Sequence, residues 1–296
     1  MEWNNLSFIV LLFVICRVNP LAAQETENDS IPRWKHDRKL SVLVNQSNYD
    51  NWLAGGTNNF SGTLNLDYNL NVTGEKWKWI STLDVALGYA KTEDQALTQK
   101  TEDQLEINAI VERRTTRLWN FSFSFNLKTQ NTPGYSFVEQ NDMIIRRKTT
   151  SFFSPAYMRL GIGLSYRKND RFAIQYNPLI ARLILVDRVF TQNLSQGEQY
   201  FGVNPDKTAR WEAGAVLAIQ SKMEIAKNIF FYNTMSLVTN YLEEMKNLDF
   251  DYTAKLDMRI NKSLSTIFEI QLLYDDNALA DLQVRQVFGL SIALPF

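Results

Sequence analysis

The sequence predicts an all-β protein: a transmembrane antiparallel up-and-down β-barrel of about twelve strands, closed by a C-terminal strand that ends at Phe296. Three observations predict it. Apolar and polar residues alternate strictly over runs longer than ordinary soluble strands. The links between those runs are short and long in turn, as periplasmic turns and external loops are. An export segment comes first, and no later stretch is long and apolar enough to cross a bilayer as a helix.

The export segment is Phe8–Cys16, FIVLLFVIC, followed by Leu21-Ala22-Ala23-Gln24 with small residues before a cut after Ala23. Residues 1–23 are therefore expected to be a cleaved signal peptide. Its start, MEWNN, departs from the usual pattern by lacking Lys and Arg and carrying Glu2. Cys16 suggests a lipoprotein, but Val14 and Ile15 are bulky where a lipoprotein site needs small residues, and ordinary cleavage is the expectation. Residues 24–37 read as a periplasmic N-terminal segment and 38–296 as the barrel. Cys16 is the single cysteine, so a mature chain has neither a disulfide framework nor a cysteine metal site.

The clearest strand is Phe60–Val72. Phe60, Leu64, Leu66, Tyr68, Leu70 and Val72 share one parity, and Ser61, Thr63, Asn65, Asp67, Asn69 and Asn71 hold the other. Trp119–Thr129 repeats the pattern with Trp119, Phe121, Phe123, Phe125 and Leu127, and further cases are Phe250–Ile260, Leu264–Tyr274 and Phe288–Phe296. Weaker runs lie at Leu40–Val44, Trp77–Tyr89, Leu105–Val111, Met158–Tyr166, Phe172–Leu185, Trp211–Ile219 and Ile229–Tyr241. A tilted membrane strand needs about 9–11 residues, and most of these runs supply them. A secreted sandwich or jelly roll also alternates, but with strands of about 5–6 residues.

The short links are Thr73–Glu75, Arg114–Thr116, Lys168–Asp170, Met223–Lys227 and Asn261–Ser263; the long ones are Gln46–Asn58, Thr92–Gln104, Asn131–Ser154, Asp187–Lys207, Glu243–Leu248 and Asp275–Gln283. They strictly alternate, which places both termini on the periplasmic side. Trp77, Trp79, Trp119, Phe172 and Phe230 each follow a short link, so they are expected to form an interfacial aromatic girdle. The terminal Phe296, on an alternating strand, resembles the assembly signal read by the barrel-assembly machinery. Pro295 is tolerable at a strand end.

Composition excludes some classes. Basic and acidic residues number 31 and 32 with no basic stripe, which argues against a nucleic-acid partner. Twelve glycines and seven prolines argue against a low-complexity chain.

Several local features resemble a Bacteroidota-type outer-membrane barrel family catalogued as a domain of unknown function (3078). They are Trp52-Leu53-Ala54-Gly55-Gly56-Thr57-Asn58-Asn59-Phe60, Ser154-Pro155-Ala156-Tyr157 with Gly161 and Gly163, Tyr176-Asn177-Pro178-Leu179, Tyr200-Phe201-Gly202-Val203, and Tyr274-Asp275-Asp276. The resemblance implies an outer-membrane location in a Gram-negative cell and supplies no catalytic residues.

The chemistry of outer-membrane hydrolases generally needs a histidine at the external rim beside Ser or Asp. The one histidine, His36, precedes the first expected strand on the periplasmic side, in the polar segment Trp34–Arg38, and reads as solvated. The carboxylate pairs Glu93-Asp94, Glu102-Asp103, Glu243-Glu244 and Asp275-Asp276 fall in or beside external loops. Calcium binding or acid–base work on a glycan is conceivable for them, but no ligand-loop spacing supports either, and solvated loop charges explain them better. No enzyme activity, cofactor or metal is expected.

Lumen parity points Asp67, Asp84, Glu106, Lys128, Arg159, Lys255, Asp257, Arg259, Glu269 and Arg285 inward, with Asn108 and Gln271. Either these charges line a water-filled, selective pore, or they pair and close it. The segments Asn131–Ser154 and Asp187–Lys207 either fold inward as plugs or present a surface to partners. The expected role is a narrow channel or transporter for a small solute or lipid-like compound. The alternatives are a structural or adaptor barrel binding other envelope proteins through its loops, and, third, a hydrolase. The expected surroundings are outer-membrane lipid.

Overall fold

The computed structural model describes residues 33–48, 58–93, 97–140, 143–169, 171–242, 248–275 and 279–294. The signal peptide, most of the Trp52–Phe60 signature, Glu243, Glu244, Asp94, Asp276 and Phe296 lie outside the described residues.

Strict alternation lets one face of each strand be apolar, and the strands follow it. They are β1 (Arg33–Ser47), β2 (Asn59–Thr73), β3 (Trp77–Thr92), β4 (Gln99–Arg114), β5 (Trp119–Thr129), β6 (Gly134–Gln140), β7 (Met143–Thr150), β8 (Ala156–Asn169), β9 (Phe172–Leu185), β10 (Ala209–Ala226), β11 (Ile229–Asn240), β12 (Leu248–Arg259), β13 (Leu264–Asp275) and β14 (Leu279–Leu294), with one short helix, α1 (Arg188–Thr191), between β9 and β10. Twelve of them form one closed antiparallel barrel in the order β1-β14-β13-β12-β11-β10-β9-β8-β5-β4-β3-β2, and β6 and β7 make a separate hairpin. The barrel closes through its shortest ladder, Leu40–Val44 against Leu290–Leu294.

The turns on one side are tight for local reasons. Gly74 N–H donates to the Trp77 carbonyl at 2.8 Å. Asn261 Oδ1 accepts from the backbone N–H groups of Ser263 and Leu264 at 2.8 and 2.9 Å. An Asx side chain of this kind replaces a backbone partner and shortens the turn.

Burial is inverted relative to a soluble protein. Ser122 is 4% exposed, whereas its neighbours on β5, Phe121 and Phe123, are 58% and 46% exposed. Ser41, Ser165, Ser265 and Ser291 are likewise buried, while Ile162, Leu179, Phe288 and Ile292 project outward. Polar groups face inward and large apolar ones outward because the surrounding solvent for this fold is hydrocarbon. This is an outer-membrane-type β-barrel fold. Phe123→Arg is accordingly expected to cost about 2–4 kcal/mol, read as a lowered denaturation midpoint of barrel refolded into lipid vesicles. An unchanged midpoint would remove Phe123 from the lipid face.

Several boundaries differ from expectation. β1 starts at Arg33, so the supposed periplasmic segment 24–37 ends in strand and the barrel begins before residue 38. Arg33–Lys39 lacks an apolar rhythm, yet pairs continuously with β2 from Arg33↔Thr73 onward, because backbone ladders do not require alternating side chains. His36 therefore sits on a strand, opposite Leu70, and is exposed. β10 runs through the expected link Met223–Lys227 as far as Ala226, β4 begins at Gln99, and β14 begins at Leu279.

Candidate functional site in the barrel lumen

Directly paired residues of an antiparallel ladder share a face, so the register places each side chain. Asp67 pairs with Asp84, Asp84 with Glu106, and Glu106 with Lys128, which sets three carboxylates side by side on the lumen face of β2, β3 and β4. Asn126 pairs with Arg159, and Arg159 with Arg182. Across the lumen, Lys255 pairs with Glu269, Gln271 with Arg285, and Asp257 with Ile267. Arg259, opposite Ser265, sits near the short-turn end.

The half of this lumen nearest the long links is crossed by ion pairs. Lys128 of β5 lies 3.7 Å from Asp251 of β12, five strands around the wall. Arg285 of β14 donates to Glu102 of β4, four strands away, and to Glu269 at 3.3 Å. Arg182 of β9 reaches Glu212 at 3.2 Å, Asp249 at 2.8 Å and Asp275 at 3.5 Å. A round twelve-strand barrel is about 24 Å across between backbones. A Lys–Asp pair spans at most about 14 Å between Cα atoms. The Lys128–Asp251 pair therefore requires an oval section with its walls drawn together at this level.

A loop folds over the same end. Phe201 and Gly202 both have positive φ, 50° and 77°, and lie between the bridged residues Tyr200 and Val203, which makes a tight primed turn. Val203 is fully buried against Ile184 and Val186, with Tyr157, Phe190, Tyr200 and Phe201 packed around them. Ile184 and Tyr157 are direct partners on the lumen face, so the Asp187–Lys207 segment packs inward across the mouth. Arg210 holds this turn from inside, donating to the Gly202 carbonyl at 3.0 Å and pairing with Glu212 at 2.9 Å. Tyr200 also donates to the Thr149 carbonyl and so ties the turn to the β6–β7 hairpin. Burial raises the Tyr200 phenol above its ordinary pKa, which keeps this donor protonated at neutral pH.

Three of the signature segments named from the sequence meet here. Tyr157 lies under the Arg182 guanidinium at 5.2 Å, Tyr200–Val203 forms the turn, and Asp275 is an Arg182 partner. The fourth, Tyr176–Leu179, shapes the wall below. Pro178 has no N–H for the ladder, and β9 bulges there: Gly163 stands opposite both Asn177 and Pro178. Asn177 keeps the inward phase of Ala173 and Gln175, is 1% exposed and donates to Ser124 Oγ at 2.8 Å, and the bulge exchanges the faces beyond it.

The other sequence-derived residues are placed as follows. Trp77, Trp79 and Trp119 are exposed on the outer face, and Trp119, Tyr166 and Phe172 form a chain of edge-on rings at 5.3 and 6.4 Å. Trp34 and Tyr166 belong to the same band and were not anticipated. Phe230 does not: it pairs with Asp257 on the lumen face, with the Arg259 guanidinium 4.3 Å from its ring. Position after a short turn did not settle which face it occupies. Glu102 and Asp103 are in β4 rather than in a loop. Asp103 anchors the β5–β6 link, accepting from Lys100 Nζ at 2.7 Å and from the Asn131 and Thr132 N–H groups at 2.7 and 2.9 Å. Among the described residues no three His, Cys, Asp or Glu side chains are grouped to hold a metal. Arg182, Arg210, Glu212 and Asp249 were missed by the sequence reading.

The model of a family described as a protein of unknown function, DUF3078, matches residues 44–135, as the resemblance implied. No curated protein matches the sequence. Among solved structures, the chain is similar to the translocator domain of the autotransporter NalP from Neisseria meningitidis, at 9% identity and TM-score 0.42 over 91% of this chain and 90% of that one. It is similar to an active-site mutant of outer membrane phospholipase A from Escherichia coli, at 11% identity and TM-score 0.41 over 91% and 94%. It is also similar to the NanC porin, at 7% identity and TM-score 0.40 over 87% and 100%. These likenesses carry no argument about activity, and the barrel rests on its own strand ladder.

Proposed function

We propose that the protein resides in the outer membrane, with its short turns periplasmic, and forms a narrow conduit for a small polar solute. The layer of transverse ion pairs is its constriction. The observation that carries this reading is the Lys128–Asp251 pair, which joins opposite walls of a lumen rich in charged and polar side chains of both signs. Opposed charges at a narrow level set selectivity by size and charge together. Charges of both signs at this level favour a polar cargo over a lipid-like one.

The reading extends to export through a cleaved signal peptide and insertion by the barrel-assembly machinery, supported by Phe8–Cys16 and by the alternating last strand. An adaptor role is the second reading. It is favoured by the β6–β7 hairpin, which leaves Arg146, Arg147 and Lys148 exposed outside the barrel wall.

Single-channel current in a planar bilayer tests the conduit. The wild-type barrel is expected to give small discrete steps. Asp251→Asn, which releases Lys128, is expected to enlarge them and shift selectivity toward anions. Correctly folded protein that passes no current in either form would end the conduit reading and favour the adaptor.

A further inference from the structure

Arg159 stands apart from the other lumen arginines. Arg167, Arg182, Arg210, Arg259 and Arg285 each lie within 3.3 Å of a carboxylate. Arg159 has no hydrogen-bond or ion-pair partner among the described residues. Its direct ladder partner is another arginine, Arg182, so its surroundings include a like charge at close range.

The carboxylates whose charge acts on Arg159 through space include Glu106, Asp251 and Asp249, and each is engaged elsewhere. Glu106 accepts from Gln104 and Asn126 at 2.9 Å and from Asn108 at 3.2 Å. Asp251 takes Lys128 and accepts from Gln271 at 3.0 Å. Asp249 takes Arg182 at 2.8 Å. Two residues along β8, on the same face, Tyr157 presents a phenol whose hydroxyl has no hydrogen-bond partner among the described residues, while its ring is covered by Arg182. A half-buried guanidinium and a phenol O–H, side by side and without acceptors, are donors waiting for an anion: a guanidinium fork matches the two oxygens of a carboxylate or phosphate.

We propose that Arg159 and Tyr157 form an oxyanion-binding subsite in the constriction, which takes the carboxylate or phosphate of a small solute. The inference rests on the conduit reading for its purpose, though not for its detection. Arg159 supplies the charge and the bidentate fork, and Tyr157 adds one neutral donor. The neighbouring carboxylates keep their own partners, so an entering anion displaces water from Arg159 rather than an existing ion pair.

Equilibrium dialysis of the detergent-solubilised, folded barrel at low chloride tests this, with succinate and inorganic phosphate as separate labelled probes. The wild type is expected to bind one of them saturably; succinate alone would indicate carboxylate solutes and phosphate alone phosphorylated ones. Arg159→Gln should weaken binding at least about tenfold, the loss expected for a charge-assisted pair. Tyr157→Phe should weaken it by a smaller factor, and also serves if the arginine variant fails to fold. Arg146→Gln, on the external hairpin, controls for loss of charge. A folded wild-type barrel that binds neither probe, or an Arg159→Gln barrel that binds as the wild type does, overturns the subsite. Binding that persists in a barrel passing no current would sink the conduit reading and leave the subsite standing.

Discussion

Replacing Arg182 by methionine is expected to destabilise the folded barrel by about 3–5 kcal/mol, with the lower end favoured because the side chains of the cluster keep some exposure. Arg182 is the cation shared by Glu212, Asp249 and Asp275, and its side chain is 13% exposed. Its removal takes one cationic partner from each of Glu212, Asp249 and Asp275, and Glu212 keeps Arg210. Methionine keeps much of the volume over the Tyr157 ring, so the loss is chiefly electrostatic. The cost follows from three carboxylates losing the cation they share, not from the worth of the pairs themselves. Asp249→Asn in the Arg182→Met background should therefore recover part of the stability, a coupling that a packing effect would not produce. The urea midpoint of vesicle-refolded protein measures both. A midpoint unmoved by Arg182→Met would mean that the cluster does not brace the barrel.

The second large effect is expected at Gly163. A Cβ there would meet the Tyr176 carbonyl, with Asn177 Cα at 2.6 Å, because the β9 bulge brings that backbone over β8. Backbone cannot step aside as a side chain does, so Gly163→Ala should cost about 3 kcal/mol or more. Gly161 provides the contrast. Its added Cβ would meet Asn177 Nδ2 at 2.6 Å and Ser124 Oγ at 2.8 Å, the ends of side chains rather than backbone. Gly161→Ala should cost about 1 kcal/mol. Equal costs at the two positions, in the same unfolding measurement, would show that the bulge is not the rigid element described.

The lumen residues illustrate what alternation does and does not carry. Asp67, Asp84, Glu106, Lys128, Arg159, Lys255, Glu269 and Arg285 lie on one face because their strands keep phase along the stretches that carry them. Arg182 escaped because β9 does not keep phase. Ala173, Gln175 and Asn177 are the lumen positions before Pro178, and Ile180, Arg182 and Ile184 are those after it. One extra residue at the bulge exchanges the faces, and no count from the strand's start reveals it. The proline was visible in the sequence and was the available signal. Asp275 was noticed, but as a solvated loop charge, since its partner Arg182 is 93 residues away. Phe230 was misplaced for a related reason: a girdle residue is defined by face as well as by depth.

Alternation, link lengths and the absence of a helical span determined, by themselves, the barrel class, the strand count and which end of the barrel each link lies at, because a two-residue period and a bilayer's thickness constrain every strand locally. Which charges meet was decided only by the tertiary structure. Ion pairs across a lumen depend on how far apart the walls stand, on a bulge that resets one strand's phase, and on a loop turn buried against Ile184. These are distances between segments remote in the chain, and local periodicity does not encode them.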